Sequence, residues 1–364
     1  MEIAAPARAW QATPSWWLLG PKTDVAAFAG SALLALLALA WRPGGQLAEP
    51  ADVALSEWTW IACVLMVDVA HVWSTVWRTY LDPAELGRHP YRYLLVPLLG
   101  YAASVLLYSI GAACFWRTLA YLAVYHFVRQ QYGWVMLYRT RCGEQGRWSR
   151  ALDSATVHAC ALYPLAWWHA HLPRRFSWFM AGDFSSALAL GPHLLDLAAM
   201  LWVGLRASYC VRSARAWQAG HGNPGKDMVM GSTAACWYLG IVTLNSDYAF
   251  TVTNVLIHGI PYMALLFAYT TAAGRAIERP LHRAASRPLT WVGLLWLVAY
   301  AEELAWDRAV WHERAWLFGA PWEASSWHLW LVPLLALPQL VHYLLDGYIW
   351  RRGEAWVPWS TPPT

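Results

Sequence analysis

Four histidines of this chain each have a polar companion one helical turn away. In four separate apolar segments the pairs are Asp68 with His71, His126 with Gln130, Asn254 with His258, and His342 with Asp346. A spacing of three or four residues puts both side chains on one face of a helix. Each helix therefore offers an imidazole together with a group that orients it or acts as a second ligand, and four such helices can close one buried site.

This set of side chains suits a transition metal. Imidazole and carboxylate bind iron, zinc, copper and manganese, and the motifs contain no cysteine that would indicate a sulfur-rich site. Ligating imidazoles also need partners for the outer ring nitrogen, which the polar companions can supply. We therefore predict a transition metal, iron first and zinc, copper or manganese as alternatives, with these ligands: His71, His126, His258 and His342.

Other polar residues near the histidines have predicted roles in the same site. We assign catalysis to Asp68, Arg129, Tyr132 and Asp346, and substrate binding to Gln130, Asn254 and Tyr262. A charge within a membrane span costs about 2.5–3.5 kcal/mol on insertion scales. Arg129 is therefore interpreted as a partner of Asp68, of Asp346 or of an anionic substrate group, or as part of a structural salt bridge. Glu302 and Glu303 are interpreted as a solvated helix end.

Two other interpretations of the histidines stay open. A single histidine in an apolar helix is usually a hydrogen-bonded packing residue, and interhelical hydrogen bonds do stabilise membrane bundles. The same His, Asp and Arg side chains can also relay protons or hold an ion in a transporter. Four histidines that each have a polar partner at helical spacing favour the shared metal site over four independent packing residues.

The composition indicates that lipid is the solvent of this chain. Of its 364 residues 58% are hydrophobic and 13% charged, the mean hydropathy is +0.30, and there are 28 tryptophans. Ordinary soluble domains carry about 25% charged residues. The net charge of +4 does not indicate nucleic acid, because the basic residues lie scattered in short loops. The six cysteines have no framework spacing and are interpreted as apolar packing residues.

Ten apolar runs are long enough to cross a bilayer, which takes roughly 20 mostly apolar residues. They lie at about 25–41, 52–77, 93–116, 118–138, 153–171, 192–209, 228–245, 247–271, 289–306 and 326–350. We predict an all-α, polytopic transmembrane bundle of about ten helices. The whole chain, 1–364, is then a single integral membrane domain.

The basic residues give this bundle an orientation, because cytoplasmic loops carry the excess of Lys and Arg. With the N-terminus inside, 19 of the 26 Lys and Arg residues lie on the cytoplasmic side, six lie outside and Arg129 lies within a span. Both termini are then cytoplasmic, with short ends at 1–24 and 351–364. The four histidine helices run from outside to inside, so their histidines can share a layer in the cytoplasmic half. We expect a multi-pass protein of the bacterial inner membrane.

The motifs HFVRQQYG, NVLIHGIPY and HYLLDGYIWR resemble those of an uncharacterised group of bacterial multi-span membrane proteins. The single histidines on separate helices are also loosely similar to the Brp/Blh membrane carotenoid oxygenases, which use His-bound iron. That similarity covers helix architecture and scattered histidines, whereas the DxxH, HxxRQ and HxxxD signatures do not match that family closely. The HxxxH and HxxHH boxes of membrane desaturases are absent.

These features together predict a membrane-embedded, metal-dependent oxidoreductase with non-haem iron that acts on a lipid or isoprenoid. Its partners are then a membrane lipid or another hydrophobic small molecule and a redox partner, with no nucleic acid. The alternative is a proton- or ion-coupled transporter that uses the same buried His and Asp cluster. A scaffold protein is a third class, and it would tolerate alanine at all four histidines.

Overall fold

The computed structural model describes residues 16–41, 55–276 and 280–350, and is 82% helical with no strand among them. The long helices of the described residues are α1 Pro21–Trp41, α2 Glu57–Trp77, α3 Pro90–Ile110, α4 Ala112–Arg141, α5 Arg147–Ala170, α6 Pro192–Gln218, α7 Pro224–Trp237, α8 Asp247–Ala276, α9 Pro288–Trp306 and α10 Ser325–Ile349. Of the predicted cytoplasmic ends, 1–15 and 351–364 lie outside the described residues.

Each predicted span overlaps one of these helices, but length and apolar composition support a membrane span for six of them. The six are α1, α2, α3, α6, α8 and α10. Among the others, α4 carries His126, Arg129 and Gln130 of the predicted site along its middle, together with Gln131, and these polar residues lower its hydropathy. The structure thus supports a helical membrane protein, while ten spans and cytoplasmic termini stay a prediction.

The clearest difference from the predicted boundaries lies between α3 and α4. The sequence indicated spans at 93–116 and 118–138 with Arg117 between them, whereas α3 ends at Ile110 and α4 begins at Ala112. Arg117 lies on α4, and its Nη2 donates to the carbonyl oxygen of Gly182 at 3.1 Å. A long basic side chain can reach a polar group from within a helix, so its charge did not mark the helix end.

Burial separates outer helices from inner ones. Helices α3 and α6 expose large apolar side chains along their length: Leu94, Leu98, Leu99, Leu106, Leu194, Leu197, Met200 and Leu201. Apolar faces of this extent fit contact with lipid. Helix α8 is central, because 72% of its apolar stretch is buried and it packs against α1, α2, α4 and α7.

Helix α2 changes its helical type next to the histidine that it carries. Trp60–Val69 is π-helical, Ala70–Ser74 is α-helical and Thr75–Trp77 is a 3₁₀ turn. Insertions of π-helix are frequent at functional sites because they change which side chains share a face. Asp68 and His71 lie on either side of the change and still face one another.

A group of buried and half-buried charges joins α4, the loop that follows it, α5, α6 and α7, and we call it the ionic cluster. Its members are Arg139, Glu144, Asp153, Arg212 and Lys226. Glu144 Oε2 lies 2.9 Å from Arg139 Nη1 and 2.7 Å from Lys226 Nζ. Arg139 and Arg212 both donate to the Asp153 carboxylate, and Lys226 Nζ lies 3.2 Å from its Oδ2. Every charge thus has an opposite partner, and the cluster fixes these helices relative to one another.

Candidate metal centre

The four predicted histidines meet at one point inside the bundle. His71 comes from α2, His126 from α4, His258 from α8 and His342 from α10, and each is at most 2% exposed. One ligand nitrogen from each ring lies within 4.8 Å of the other three. The predicted proximity of the four histidines is therefore confirmed, and the group can hold a metal ion. We call it the histidine cluster.

All four rings direct Nε2 toward the centre of the cluster. His258 Nε2 lies 3.1 Å from His71 Nε2, and His342 Nε2 lies 3.1 Å from His126 Nε2. Around one metal ion at a metal–nitrogen distance of about 2.0–2.1 Å, the ligand nitrogens of a tetrahedral site lie about 3.3 Å apart. The two distances of 3.1 Å are close to that spacing, and all four nitrogens lie within 4.8 Å of one another, so the group can hold a metal ion.

The outer nitrogens of three rings face polar groups. His71 Nδ1 lies 3.6 Å from Asp68 Oδ1, and His126 Nδ1 lies 3.6 Å from Asp346 Oδ2. His342 Nδ1 lies 2.7 Å from the Thr75 hydroxyl. A carboxylate behind an imidazole favours the proton on Nδ1 and leaves the Nε2 lone pair free for a metal. The two carboxylates therefore border the imidazoles from outside instead of entering the ring of nitrogens.

His258 is held by close packing. Its ring stacks on Phe127 at a centroid distance of 3.5 Å. Gly259, the next residue, lets α8 approach α2 closely, because a Cβ there would lie 2.6 Å from Val67 Cγ1. His258 Nδ1 has no hydrogen-bond partner in the described structure, and neither has Oδ1 of Asn254, one turn earlier. Steric contact therefore positions this ring without a hydrogen bond to its outer nitrogen.

A cavity of about 750 Å³ reaches the histidine cluster from the side of α4 and α10. His126, Tyr262, Tyr343 and Asp346 line its inner end, and the residues that follow α4 line its other end. The ring of Tyr343 stacks on His126 at 5.0 Å between centroids. A molecule in this cavity would lie beside one of the four imidazoles.

Arg129 and Tyr132, two of the predicted catalytic residues, both line this cavity. Arg129 is exposed, and its guanidinium lies 5.0 Å from the centre of the Tyr132 ring. It forms no ion pair within 4.0 Å with Asp68 or Asp346 among the described residues, although its charge does act on Asp346. A partnership with Asp346 through space and one with an anionic substrate group both stay predictions.

The three predicted substrate-binding residues occupy different places. Gln130 lines the cavity at 6% exposure, and neither atom of its amide has a hydrogen-bond partner among the described residues. Tyr262 also lines the cavity, and its hydroxyl lies 3.1 Å from Thr75 Oγ1. Asn254 does not line it: its Nδ2 donates to the Phe250 carbonyl at 2.9 Å. Gln130 and Tyr262 can therefore touch a molecule in the cavity, whereas Asn254 lies behind His258.

Sequence reasoning missed several neighbours of the cluster. Thr75 lies one turn after His71, a spacing that could have revealed it, and Trp350 Nε1 donates to Asp346 Oδ1 at 2.8 Å. The interpretation of Glu302 as a solvated helix end is wrong. Glu302 is 8% exposed, and its Oε2 accepts a hydrogen bond from Trp73 Nε1 at 2.5 Å because α2 covers this part of α9.

Comparison of the chain with protein families, with curated proteins and with solved structures finds no match. The resemblance of its motifs to bacterial membrane proteins and to the carotenoid oxygenases therefore stays a prediction. The class of protein that the fold and the site define is a helical membrane protein with a buried four-histidine group.

Proposed function

We propose that this protein is a membrane-embedded oxidoreductase whose histidine cluster holds non-haem iron and whose substrate is a lipid or an isoprenoid. The observation that carries the proposal is the convergence of four buried Nε2 atoms at the end of a cavity. Each facing pair of nitrogens can share one proton in an N–H···N contact, whereas a cation at the centre would engage all four Nε2 atoms at once.

The surroundings of the cluster support a reaction rather than metal storage alone. Imidazole ligands suit redox-active iron, and the bound metal would supply the electron-transfer chemistry. Asp346 is the carboxylate that both lines the cavity and borders His126, so it can hold or move a proton beside a bound substrate. Tyr262 and Tyr343 line the cavity beside the cluster, so a bound substrate would contact their rings.

The decisive experiment is elemental analysis of the detergent-purified chain. We expect about one transition-metal ion per chain in the parent, and its loss in the double variant His126→Ala/His342→Ala. The matched control is His158→Ala/His171→Ala, because these histidines bond to carbonyl oxygens of their own helix and lie outside the cluster. The metal found distinguishes iron from zinc, copper and manganese. Parent protein without a stoichiometric transition metal would contradict the proposal.

The second candidate class is a proton- or ion-coupled transporter, which the buried Asp346 next to a cavity also suits. Reconstitution in proteoliposomes separates the two classes. Uptake that depends on Asp346 and His258 in a metal-free protein would establish the transporter. Iron-dependent oxidation of a lipid or isoprenoid, lost in the histidine variant, would establish the oxidoreductase.

A further inference from the structure

The cavity beside the histidine cluster has an uneven distribution of charge. Four arginines line it, Arg129, Arg139, Arg147 and Arg150, against two carboxylates, Glu144 and Asp346. Arg139 and Glu144 already form an ion pair with each other in the ionic cluster. The cavity therefore presents guanidinium groups that the protein itself does not neutralise.

Arg147 and Arg150 are the two guanidiniums at the outer end of the cavity. Both are exposed on the first turn of α5, and the Arg147 guanidinium lies 5.2 Å from the centre of the Trp148 ring. Neither forms an ion pair in the portion of the chain that the structure describes. Guanidinium groups bind carboxylate and phosphate through paired hydrogen bonds, so two of them at one opening suit an anionic headgroup.

The wall between the two ends of the cavity is partly apolar. Trp134, Met136, Leu137 and Leu265 line it. From His126 to the level of Arg139, α4 rises about 20 Å, at roughly 1.5 Å per residue. An extended hydrocarbon chain can therefore lie along α4 with one end at the arginines and the other at the histidine cluster.

The buried side-chain amide of Gln130 is an independent indication that this cavity binds a ligand. Its amide is buried one turn from His126, faces the cavity and has no partner in the described structure. Buried polar groups of native proteins are nearly always hydrogen-bonded, and each exception calls for an explanation. A polar group on a bound molecule would provide the missing partner.

We propose that the cavity binds an amphiphile with one anionic headgroup, a carboxylate or a phosphate, whose headgroup contacts Arg147 and Arg150 and whose chain extends toward His126. This inference rests on the proposed function, because it names the substrate class of the same site. It also excludes neutral isoprenoids as preferred substrates. The binding itself does not require the metal.

The test is ligand binding to the full-length chain in non-ionic detergent, with four probes. Palmitate and hexadecyl phosphate carry the two kinds of headgroup, methyl palmitate is the neutral counterpart, and inorganic phosphate is the anion without a chain. We expect both anionic amphiphiles to bind and the other two to bind at least tenfold more weakly. Equal binding of methyl palmitate, or of inorganic phosphate, would overturn the proposal.

The variant Arg147→Gln/Arg150→Gln locates the headgroup. Both side chains are exposed and lie outside ion pairs, so we expect normal folding and a roughly 10- to 100-fold loss of affinity for palmitate. The control Arg206→Gln/Arg215→Gln removes two basic charges from α6, outside the cavity lining, and should change affinity by less than about twofold. An equal loss in both variants would mean diffuse attraction by basic loops and would overturn the proposal.

Metal content measured on the same preparations keeps the two proposals separable. A metal-free protein that binds palmitate through Arg147 and Arg150 contradicts the oxidoreductase but leaves the cavity site standing. A metal-containing protein whose palmitate affinity is unchanged in the cavity variant contradicts the ligand class but leaves the metal centre standing.

Discussion

The histidine cluster and the ionic cluster are both buried and polar, yet they differ in how their polar atoms are satisfied. In the ionic cluster, Asp153 is fully buried and is contacted by Arg139, Arg212 and Lys226. In the histidine cluster, the inward nitrogens have only each other, and the outer nitrogens of His71 and His258 have no hydrogen bond in the described structure. Among the described residues every charge of the ionic cluster has an opposite partner, although Arg212 Nε has no hydrogen bond, whereas the histidine cluster keeps ring nitrogens without a partner outside itself.

This difference separates a structural role from a ligand-binding role. A buried ion pair costs desolvation that only complete pairing repays, so the ionic cluster holds α4 to α7 together once every charge is matched. The convergent nitrogens of the histidine cluster can share protons only in pairs, so a metal ion that engages all four would add stability to the fold. We therefore expect variants of the ionic cluster to affect folding first, and variants around the histidine cluster to affect metal binding first.

The largest effect is expected for Asp153→Asn. It removes the carboxylate shared by three cations and leaves Arg139 and Lys226 buried with incomplete pairing, which costs about 3–5 kcal/mol of unfolding free energy. Denaturant titration in detergent measures this loss. The folded fraction should keep its metal, because no member of the ionic cluster contacts the four histidines.

Asp196→Asn is the control for this prediction, because Asp196 is exposed on α6. Exposed substitutions change stability by within about 0.5 kcal/mol. If the two variants unfolded alike, the ionic cluster would not hold the bundle together, and the comparison with the histidine cluster would fail.

The next effect is expected for Gly259→Ala. The new methyl group would lie 2.6 Å from Val67 Cγ1 and 3.3 Å from the Val67 carbonyl oxygen, so α8 must move away from α2. Overpacking of this kind costs about 1–3 kcal/mol, and here it also separates His258 from His71. Elemental analysis should show reduced metal content together with a lower melting temperature.

Two further variants sharpen this prediction. Adding Val67→Ala to Gly259→Ala restores the space and should recover much of the metal content. Gly293→Ala on α9 is the control, since a Cβ there meets nothing within 4 Å. It should be neutral or stabilise by up to about 1 kcal/mol, because alanine favours a helix over glycine. Metal loss in Gly293→Ala would refute the steric explanation.

A smaller effect is expected for Asp346→Asn, which keeps the shape but removes the charge behind His126. Loss of the carboxylate charge 3.6 Å behind the metal-binding imidazole should weaken metal affinity by about 10- to 100-fold. Competition with a chelator measures the affinity, and thermal unfolding of the metal-free protein should be nearly unchanged. A large drop in the stability of the metal-free protein would instead give Asp346 a structural role like that of Asp153.

The helices and the meeting of the histidines were predictable because both depend on short-range patterns. Long apolar runs indicate helices regardless of their neighbours, and a spacing of four residues places Asp346 on the same face as His342. Polar faces on four helices are costly in contact with lipid. The four helices were therefore expected to bury these faces against one another at a common centre.

The features that could not be predicted depend on contacts between distant segments. The close approach at Gly259 depends on Val67 of another helix, and the burial of Glu302 depends on Trp73, more than 200 residues earlier. The direction of each ring, Nε2 inward and Nδ1 outward, depends on rotamers that sequence spacing does not specify. The cavity depends on the separation of α4 and α10, which no local pattern encodes.

The smallest effect is the dependence of the melting temperature on pH. It tests the ionic cluster through Glu144, which is partly exposed. Burial alone would raise the pKa of Glu144, but hydrogen bonds and charges from Lys226, Asn223 and Arg139 outweigh burial and hold the pKa below its usual value of 4.5. A carboxyl whose folded pKa is lowered stabilises the fold above its unfolded pKa, and this stabilisation is lost as pH falls through the folded pKa. The melting temperature should therefore decline once pH falls below about 4.5.

Glu144→Gln should flatten this decline, since glutamine does not titrate, and should lower the melting temperature at neutral pH, where the charged partners lose their carboxylate. Because the Glu144 side chain is 19% exposed, solvent screens it and the loss should be smaller than for Asp153→Asn. Glu323→Gln, an exposed carboxylate outside any cluster, is the control and should retain the full decline. An unchanged pH profile in Glu144→Gln would show that other carboxylates cause the acid sensitivity, and that protonation of Glu144 does not destabilise the ionic cluster.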